Sequence, residues 1–280
     1  MPYRTLWISD VHLGRPGCQA ELLADFLRRH DCERLYLVGD IIDGWKLRQH
    51  WYWPQAHANV VREILSKAER GTAVYYITGN HDEFLRRYVD HAMHFGNIVI
   101  ANEAVHHTAD GRRLLVVHGD AFDMITRYFR RIAMAGDATY QLLMRSNVTI
   151  NRVRARFGKP QWSLSAYAKH QVKRAVNFVS AFEEAVARDC KRRGLDGVVC
   201  GHIHHAEQRD IHGVTYYNCG DWVESCTALA EDMNGRIEIV RWAELDAPEA
   251  PVSAKVAPLA AQRARKRATQ TAAGTAAKTA

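Results

Sequence analysis

The chain has 280 residues, of which 47% are hydrophobic and 25% are charged, and its formal net charge is +7. These proportions are those of an ordinary globular protein, and the absence of any apolar run of about 18 residues excludes a membrane-spanning helix. The six cysteines form neither a CxxC pair nor a framework spacing, so we expect reduced, buried thiols rather than disulfides. The first residues lack a signal-peptide pattern, so we expect a cytoplasmic protein.

The first part of the chain alternates between strand and helix patterns. Apolar runs at 5–9, 34–38 and 73–77 predict strands that are buried on both faces. Residues 19–30 and 54–70 predict the helices between them. Polar clusters follow the strand ends, which is where open α/β sheets bind their ligands.

The second part of the chain changes character. Residues 97–117 predict strands around a hairpin turn at Asp110-Gly111. Residues 121–194 predict three or four helices, the last from about 163 to 193. Strand patterns then return at 198–200, 214–217, 226–229 and 236–242, with a hairpin turn at Asn234-Gly235. We therefore expect a two-sheet α/β domain over residues 1–246 with a helical insertion at about 121–194.

Residues 247–280 are dominated by Ala, Lys, Arg, Thr and Pro, and residues 251–280 contain no acidic residue. Such a segment cannot bury enough apolar surface to order itself, so we predict a disordered basic tail. A solvated tail without function and a tail that binds anionic lipid or nucleic acid are the two interpretations of this charge.

Five motifs of metal-ligand residue types stand at the predicted strand ends. In chain order they are Asp10-Val11-His12, Gly39-Asp40, Gly79-Asn80-His81-Asp82, His118 and Gly201-His202-Ile203-His204. In an extended segment, residues two apart point to the same side, which pairs Asp10 with His12 and His202 with His204. Asp40 is the natural bridge between two cations about 3.5–4 Å apart, with Gly39 before it to clear space. Mixed nitrogen and oxygen ligands favour Mn²⁺, Fe²⁺, Zn²⁺ or Co²⁺ over Ca²⁺.

On these motifs the sequence resembles the calcineurin-like metallophosphoesterase superfamily over residues 5 to about 242. The resemblance implies an α/β fold of the four-layer αββα type, with a helical lid and two divalent metal ions, of which Mn²⁺ is the first expectation. It implies that one metal is held by Asp10, His12, Asp40 and His204, and the other by Asp40, Asn80, His118 and His202. His81 matches the non-ligand histidine beside the substrate phosphate. It would act as a general acid or as an electrostatic stabiliser, with Asp82 orienting its ring.

Within the superfamily the sequence is most similar to UDP-2,3-diacylglucosamine diphosphatases of lipid A synthesis. The similarity comes from the length, the stretch from Gly39 to Trp45, the insertion between His118 and His202, and Gly220-Asp221-Trp222. It implies cleavage of UDP-2,3-diacylglucosamine to a lipid X-type 2,3-diacylglucosamine 1-phosphate and UMP, with peripheral contact to the anionic inner face of the inner membrane. In that family the insertion forms a lid over a groove for two acyl chains. The candidate substrate contacts are Asn80, Arg154, Ser163, Lys169, Lys173 and His202. Better-known members carry arginine at the position of His81.

Other functions are also consistent with the sequence. The first alternative is a broad-specificity soluble phosphodiesterase or phosphatase of the same superfamily. The second is a non-enzymatic protein that binds nucleic acid or membrane through its basic tail. Nuclease activity is a further alternative within the superfamily. The sequence has no obvious extended DNA-binding module, so nucleic acid is not the expected partner.

Overall fold

A computed structural model describes residues 2–91, 94–95, 97–122 and 164–242, with side chains described for 2–89, 97–122 and 178–242. These residues fall in the first of two units of the chain, Met1–Ala243. The helices are α1 (Ala20–Arg29), α2 (Gly44–Gln49), α3 (Gln55–Glu69) and α4 (Leu164–Arg192). The strands are β1 (Tyr3–Ile8), β2 (Cys32–Val38), β3 (Ala73–Ile77), β4 (His94–Phe95), β5 (Ile98–Ala101), β6 (Glu103–His107), β7 (Arg113–Val117), β8 (Gly197–Cys200), β9 (Glu207–Ile211), β10 (Val214–Asn218), β11 (Thr227–Glu231) and β12 (Ile237–Arg241). Short 3-10 helices cover Glu83–His91 and Asp120–Phe122.

Two mixed sheets form the centre of the fold. The first has the strand order β12-β11-β1-β2-β3-β5-β4, and the second has the order β6-β7-β8-β10-β9. In the first sheet β1, β2, β3 and β5 are parallel, and in the second β7, β8 and β10 are parallel. The carboxyl ends of parallel neighbours lie at one edge of each sheet, and this edge carries the polar motifs.

The strands are apolar on both faces because the sheets are covered on both faces. In β1, Leu6 and Ile8 face the layer of α1 and α3, whereas Trp7 faces the second sheet. On the far side of the second sheet, Val198 and Cys200 pack with α4 through Phe182 and its neighbours. The order of layers is therefore helix, sheet, sheet, helix, as the resemblance implied.

Most predicted elements are present in the structure with small shifts of their bounds. The two predicted hairpins are confirmed by the antiparallel pairs β6–β7 and β11–β12, and the predicted last helix at 163–193 corresponds to α4. Residues 123–163 of the predicted insertion and the predicted tail lie outside the described residues. The carboxyl half of α4 belongs to the core, since Val186, Ala187 and Cys190 are buried against the second sheet.

All six cysteines are free thiols, and five of them are buried, in agreement with the sequence. None of the helices in the described part of the chain combines the length and the apolar character needed to cross a lipid bilayer.

Candidate metal centre

Strand ends from both sheets converge on one cluster of histidines and carboxylates. Asp10 and His12 follow β1, Asp40 follows β2, His118 follows β7, and His202 and His204 follow β8. Their ligand atoms form three overlapping groups with all distances within 4.8 Å, namely Asp10-His12-His204, His12-Asp40-His81 and Asp40-His118-His202. The residues that the sequence marked as ligands thus lie together, although up to 194 positions separate them in the chain.

The backbone at these ligands is left-handed. The φ angles are 51° at Asp10, 56° at His12, 53° at Asp40, 73° at His202 and 55° at His204. Non-glycine residues seldom adopt this conformation, which costs about 1–3 kcal/mol for each and is concentrated at functional sites. The expectation that the D-x-H and H-x-H segments are extended is therefore wrong. Their side chains converge because each ligand sits in a tight turn at the end of its strand.

Hydrogen bonds between neighbouring loops hold these turns. Asp10 N donates to Gly39 O (3.1 Å), and His12 N donates to Asp40 O (2.9 Å). Across the two sheets, His202 N donates to Asp10 Oδ2 (2.8 Å). The Gly220-Asp221-Trp222 segment supports the same point, because the backbone N–H of Trp222 donates to Asp10 O (3.1 Å). The strain is thus balanced by a network that crosses the whole site.

Two glycines allow the loops to come this close. A Cβ atom on Gly39, whose φ is +75°, would lie 2.3 Å from Cγ and Nδ1 of His118. A Cβ atom on Gly79 would lie 2.3 Å from Asp40 Oδ1. Gly39 therefore clears space for the His118 ring, and Gly79 clears it for the Asp40 carboxylate.

The cluster has buried ligand atoms without hydrogen-bond partners, which is what a cation site requires. His118 is fully buried, and its Nδ1 donates to Val38 O at 2.9 Å, so its Nε2 is left to bind either a metal ion or a proton. This Nε2 lies 3.4 Å from Asp40 Oδ1, a separation that requires a cation or a proton between the two atoms. Asn80 Oδ1 is also buried without a partner. The residues thus fit divalent metal ions.

The buried carboxylates of the cluster favour protonated histidines. Burial opposes a charge on His118, but Asp40 and Asp10 overcome it and raise the pKa of His118 to about 10. Burial likewise opposes ionisation of Asp10, yet the hydrogen bond and charge of His204 hold the pKa of Asp10 below its ordinary value. Metal ions that bind here must therefore displace protons.

The His81 ring lies against a carboxylate that the sequence interpretation did not assign. His81 Nδ1 is 2.9 Å from Asp43 Oδ1, and its Nε2 faces Asp40 Oδ2 at 3.9 Å. Asp43 is 1% exposed and also accepts a hydrogen bond from Lys46 N as the N-cap of α2. Burial opposes its ionisation, but hydrogen bonds with His12 and His81 hold the pKa of Asp43 well below its usual range. The sequence signal was an aspartate and a glycine opening a short helix three residues after Asp40.

Asp82, predicted to orient the His81 ring, has another set of partners. Its carboxylate accepts from Ile41 N (3.0 Å), Tyr76 Oη (2.8 Å) and Gly79 N (2.5 Å). Burial and the nearby Asp40 raise its pKa. These bonds tie the loop after β2 to the loop after β3, so Asp82 fixes the frame of the site, and the carboxylate at the His81 ring is Asp43.

The predicted substrate contacts differ in where they lie. His202 lies in the cluster, and Asn80 precedes His81 in the loop after β3 with its Oδ1 buried. Arg154 and Ser163 lie outside the described residues. Lys169 and Lys173 lie within α4, in the part whose side chains are not described.

Comparisons with known proteins found a matching family and several relatives. The family model described as Calcineurin-like phosphoesterase matches residues 3–206. A UDP-2,3-diacylglucosamine hydrolase of Neisseria gonorrhoeae is 28% identical over 225 residues, which cover 77% of this chain and 88% of that protein. The enzyme of that name from Cellvibrio japonicus is 29% identical over 215 residues, which cover 74% and 84%. Among solved structures, an archaeal phosphodiesterase has a TM-score of 0.38 at 12% identity and covers 84% of this chain and 98% of its own.

Proposed function

The chain belongs to the calcineurin-like phosphoesterase family and is a metal-dependent phosphoesterase, and we propose that it uses two metal ions to cleave UDP-2,3-diacylglucosamine. The products would be 2,3-diacylglucosamine 1-phosphate and UMP. Relatives named UDP-2,3-diacylglucosamine hydrolase, which match over three quarters of the chain, support this substrate. We propose Mn²⁺ as the ion, with Fe²⁺, Zn²⁺ or Co²⁺ as alternatives, since the ligands mix imidazole nitrogen with carboxylate and amide oxygen.

The observation that carries the proposal is the position of Asp40 between two ligand groups. The group around Asp10 and the group around His118 share no residue, and they are linked through His12 and Asp40. Asp40 is 2% exposed. Although burial opposes its charge, the nearby His118 holds its pKa far below the usual range. A carboxylate that stays ionised between two groups of ligands is suited to bridge two cations.

Bound cations would lower the pKa of a water molecule and offset the charge of the phosphoryl oxygens. The chain itself supplies the second half of the reaction, the protonation of the leaving oxygen. His81 is suited to this role because Asp43 faces its Nδ1, which leaves Nε2 turned toward the cluster. The Asp43 carboxylate fixes the orientation of the ring.

The test is a product assay with purified protein, added Mn²⁺ and UDP-2,3-diacylglucosamine. We expect release of UMP, measured by liquid chromatography, and its loss in Asp40→Ala, which removes the bridging group. Bis(p-nitrophenyl) phosphate serves as the control substrate because it lacks both the nucleotide and the lipid. Turnover of the control substrate without any UMP from the lipid would exclude the proposed substrate and leave the phosphoesterase activity in place.

Turnover of the control substrate without UMP release would support the alternative function, a broad-specificity phosphodiesterase or phosphatase. The specific observation in favour of this alternative is His81. The better-known diphosphatases of lipid A synthesis, which the sequence resembles, carry arginine at this position. For the location in the cell, we propose a cytoplasmic enzyme that contacts the inner membrane peripherally, because its proposed substrate carries two acyl chains.

A further inference from the structure

His57 is a buried histidine of α3 that the metal centre and the proposed mechanism leave unused. It is 2% exposed and stands in the first turn of the helix, just after Pro54, the N-cap. Its Nδ1 accepts a hydrogen bond from Gly14 N at 3.0 Å. Because a backbone amide can only donate, the neutral ring carries its proton on Nε2. His57 therefore serves as an acceptor for a loop outside its own helix.

The surroundings of the ring keep it in this neutral form. The rings of Tyr52 and Trp53 lie nearly perpendicular to it, at interplanar angles of 79° and 89° and with centroids 5.6 and 5.5 Å away. Burial lowers the pKa of His57, so the imidazole stays uncharged near neutral pH. Nδ1 is thus available as an acceptor without competition from a ring proton.

Gly14 has little room to turn its N–H toward another acceptor. It is buried, its φ is +103°, and an added Cβ atom would lie 2.6 Å from Cγ of Leu47 in α2. Gly14 therefore fits closely between α2 and α3. Without the His57 acceptor a buried N–H would be left unpaired, which is costly enough that we expect the loop to move.

The segment that ends at Gly14 carries the first metal motif. His12 precedes Gly14, with only Leu13 between them. Leu13 N donates to Ile41 O (2.9 Å), and Leu13 O accepts from Asp43 N (2.8 Å). The loop after β2 thus holds the segment as far as Leu13, and α3 holds the peptide that follows.

The direction of the His12 ring depends on this segment. His12 has a left-handed φ of 56°, a conformation that persists only where the surrounding contacts enforce it. Its Nε2 lies 3.4 Å from His204 Nε2, within the ligand group of Asp10, His12 and His204. A movement of the turn would take the His12 nitrogen away from the other two ligands.

We propose that His57 is a positioning residue of the metal centre, because its hydrogen bond with Gly14 fixes the turn that directs His12. The ion concerned is the one expected at Asp10, His12 and His204. The inference rests on the proposed function, in which two ions are bound. It makes α3, which supplies none of the proposed ligands, a necessary part of the site.

Substitutions at His57 separate hydrogen bonding from packing. Leucine has a volume close to that of histidine and no acceptor. Asparagine lacks the ring, but its Oδ1 is as many bonds from Cα as Nδ1 of histidine is. Val60→Ala is the matched control. Val60 is fully buried in the core one turn further along α3, and its truncation weakens the packing of the helix without changing the acceptor.

The test titrates the metal-free full-length protein with Mn²⁺ in a calorimeter. We expect two binding steps in the wild type, and His57→Leu should weaken one of them roughly 10- to 100-fold. His57→Asn should retain most of this affinity despite the lost ring. Val60→Ala should lower the melting temperature and leave both steps unchanged. Equal Mn²⁺ affinities for His57→Leu and the wild type would refute the inference. Equal losses in His57→Leu and His57→Asn would also refute it, since the ring and not its acceptor would then matter.

A second measurement tests the hydrogen bond itself in the absence of metal. Hydrogen exchange of the peptide that contains Gly14, followed by mass spectrometry, should be faster in His57→Leu than in the wild type, His57→Asn or Val60→Ala. Unchanged exchange in His57→Leu would contradict the role of the bond. If His57→Leu fails to fold, His57→Gln replaces it, since glutamine carries its oxygen one bond further from Cα and should behave as leucine does.

The outcome for His57 is separate from that for the proposed function. A single Mn²⁺ step in the wild type would refute the use of two ions, and absence of UMP release would refute the substrate. In either case a weaker Mn²⁺ step in His57→Leu that is restored in His57→Asn would support the positioning role.

Discussion

Replacing Gly39 with alanine tests whether the site depends on the close approach of His118. Gly39 has a φ of +75°, and an added Cβ atom would lie 2.3 Å from His118 Cγ and 2.6 Å from His118 Cβ. The left-handed conformation alone costs alanine roughly 1–2 kcal/mol. Carbon atoms pack at about 3.5–4.0 Å, so the ring must move by roughly 1 Å or more. It cannot do so freely, because it is fully buried and its Nδ1 donates to Val38 O.

Gly71 offers the matched control. Its φ is +100°, and an added Cβ atom would meet nothing within 4 Å, so Gly71→Ala carries the backbone cost alone. We expect Gly71→Ala to lower the free energy of unfolding by about 1–2 kcal/mol without changing metal affinity. Gly39→Ala should add about 1–3 kcal/mol for overpacking and weaken metal binding roughly 10- to 100-fold through the displaced ligand.

Three measurements separate these effects. Urea denaturation gives the free energy of unfolding, calorimetry gives the Mn²⁺ affinity, and hydrolysis of bis(p-nitrophenyl) phosphate gives kcat. A misplacement of about 1 Å at a catalytic group reduces turnover roughly 100-fold, so kcat should fall in Gly39→Ala and not in Gly71→Ala. If both variants bind Mn²⁺ and turn over alike, the His118 ring does not hold a metal and the site has been assigned incorrectly.

Further predictions concern the proton donor, the bridge and the pH dependence of folding. His81→Ala should keep its metals and lose about 10²- to 10⁴-fold in kcat. Asp43→Asn should lose roughly 10-fold or more in kcat with bis(p-nitrophenyl) phosphate, because the His81 ring loses the carboxylate that orients it. Asp40→Ala should lose metal and activity together, measured by metal analysis and turnover. Burial lowers the pKa of His106. Burial would raise the pKa of Glu231, but its hydrogen bonds with His106, Ala109 N and Thr5 lower it. Stability to urea should therefore decrease as pH falls below about 6.5 and again below about 4.5.

The sign of the pH effect follows from proton uptake. Between its lowered pKa in the fold and its ordinary value, His106 is protonated only in the unfolded chain, and Glu231 behaves in the same way at lower pH. The unfolded state therefore gains protons and is favoured as pH falls. His106→Gln should reduce the loss of stability that occurs as pH falls below about 6.5. An unchanged dependence of stability on pH in that variant would contradict the explanation.

For the proton donor, loss of metal in His81→Ala would show that His81 is a ligand.

Much of the architecture could be predicted because it depends on local patterns. The runs at 5–9, 34–38 and 73–77 have apolar residues at consecutive positions, and this pattern is typical of strands covered on both faces. Because those strands are parallel neighbours, their carboxyl ends lie together, which brings Asp10 and Asp40 to one edge. The elements that were missed have weak patterns of their own. β9 is partly exposed, and α2 is only six residues long.

The sequence by itself determined which residue types could form a metal centre and at which strand ends they stand. Only the tertiary structure decided how those side chains are aimed. The left-handed turns at the ligands are maintained by hydrogen bonds between residues far apart in the chain, such as His202 N to Asp10 Oδ2, and no local pattern records them. For the same reason, Asp82 is adjacent to His81 in sequence, yet Asp43 reaches its ring, because the direction of a side chain depends on the loops packed around it.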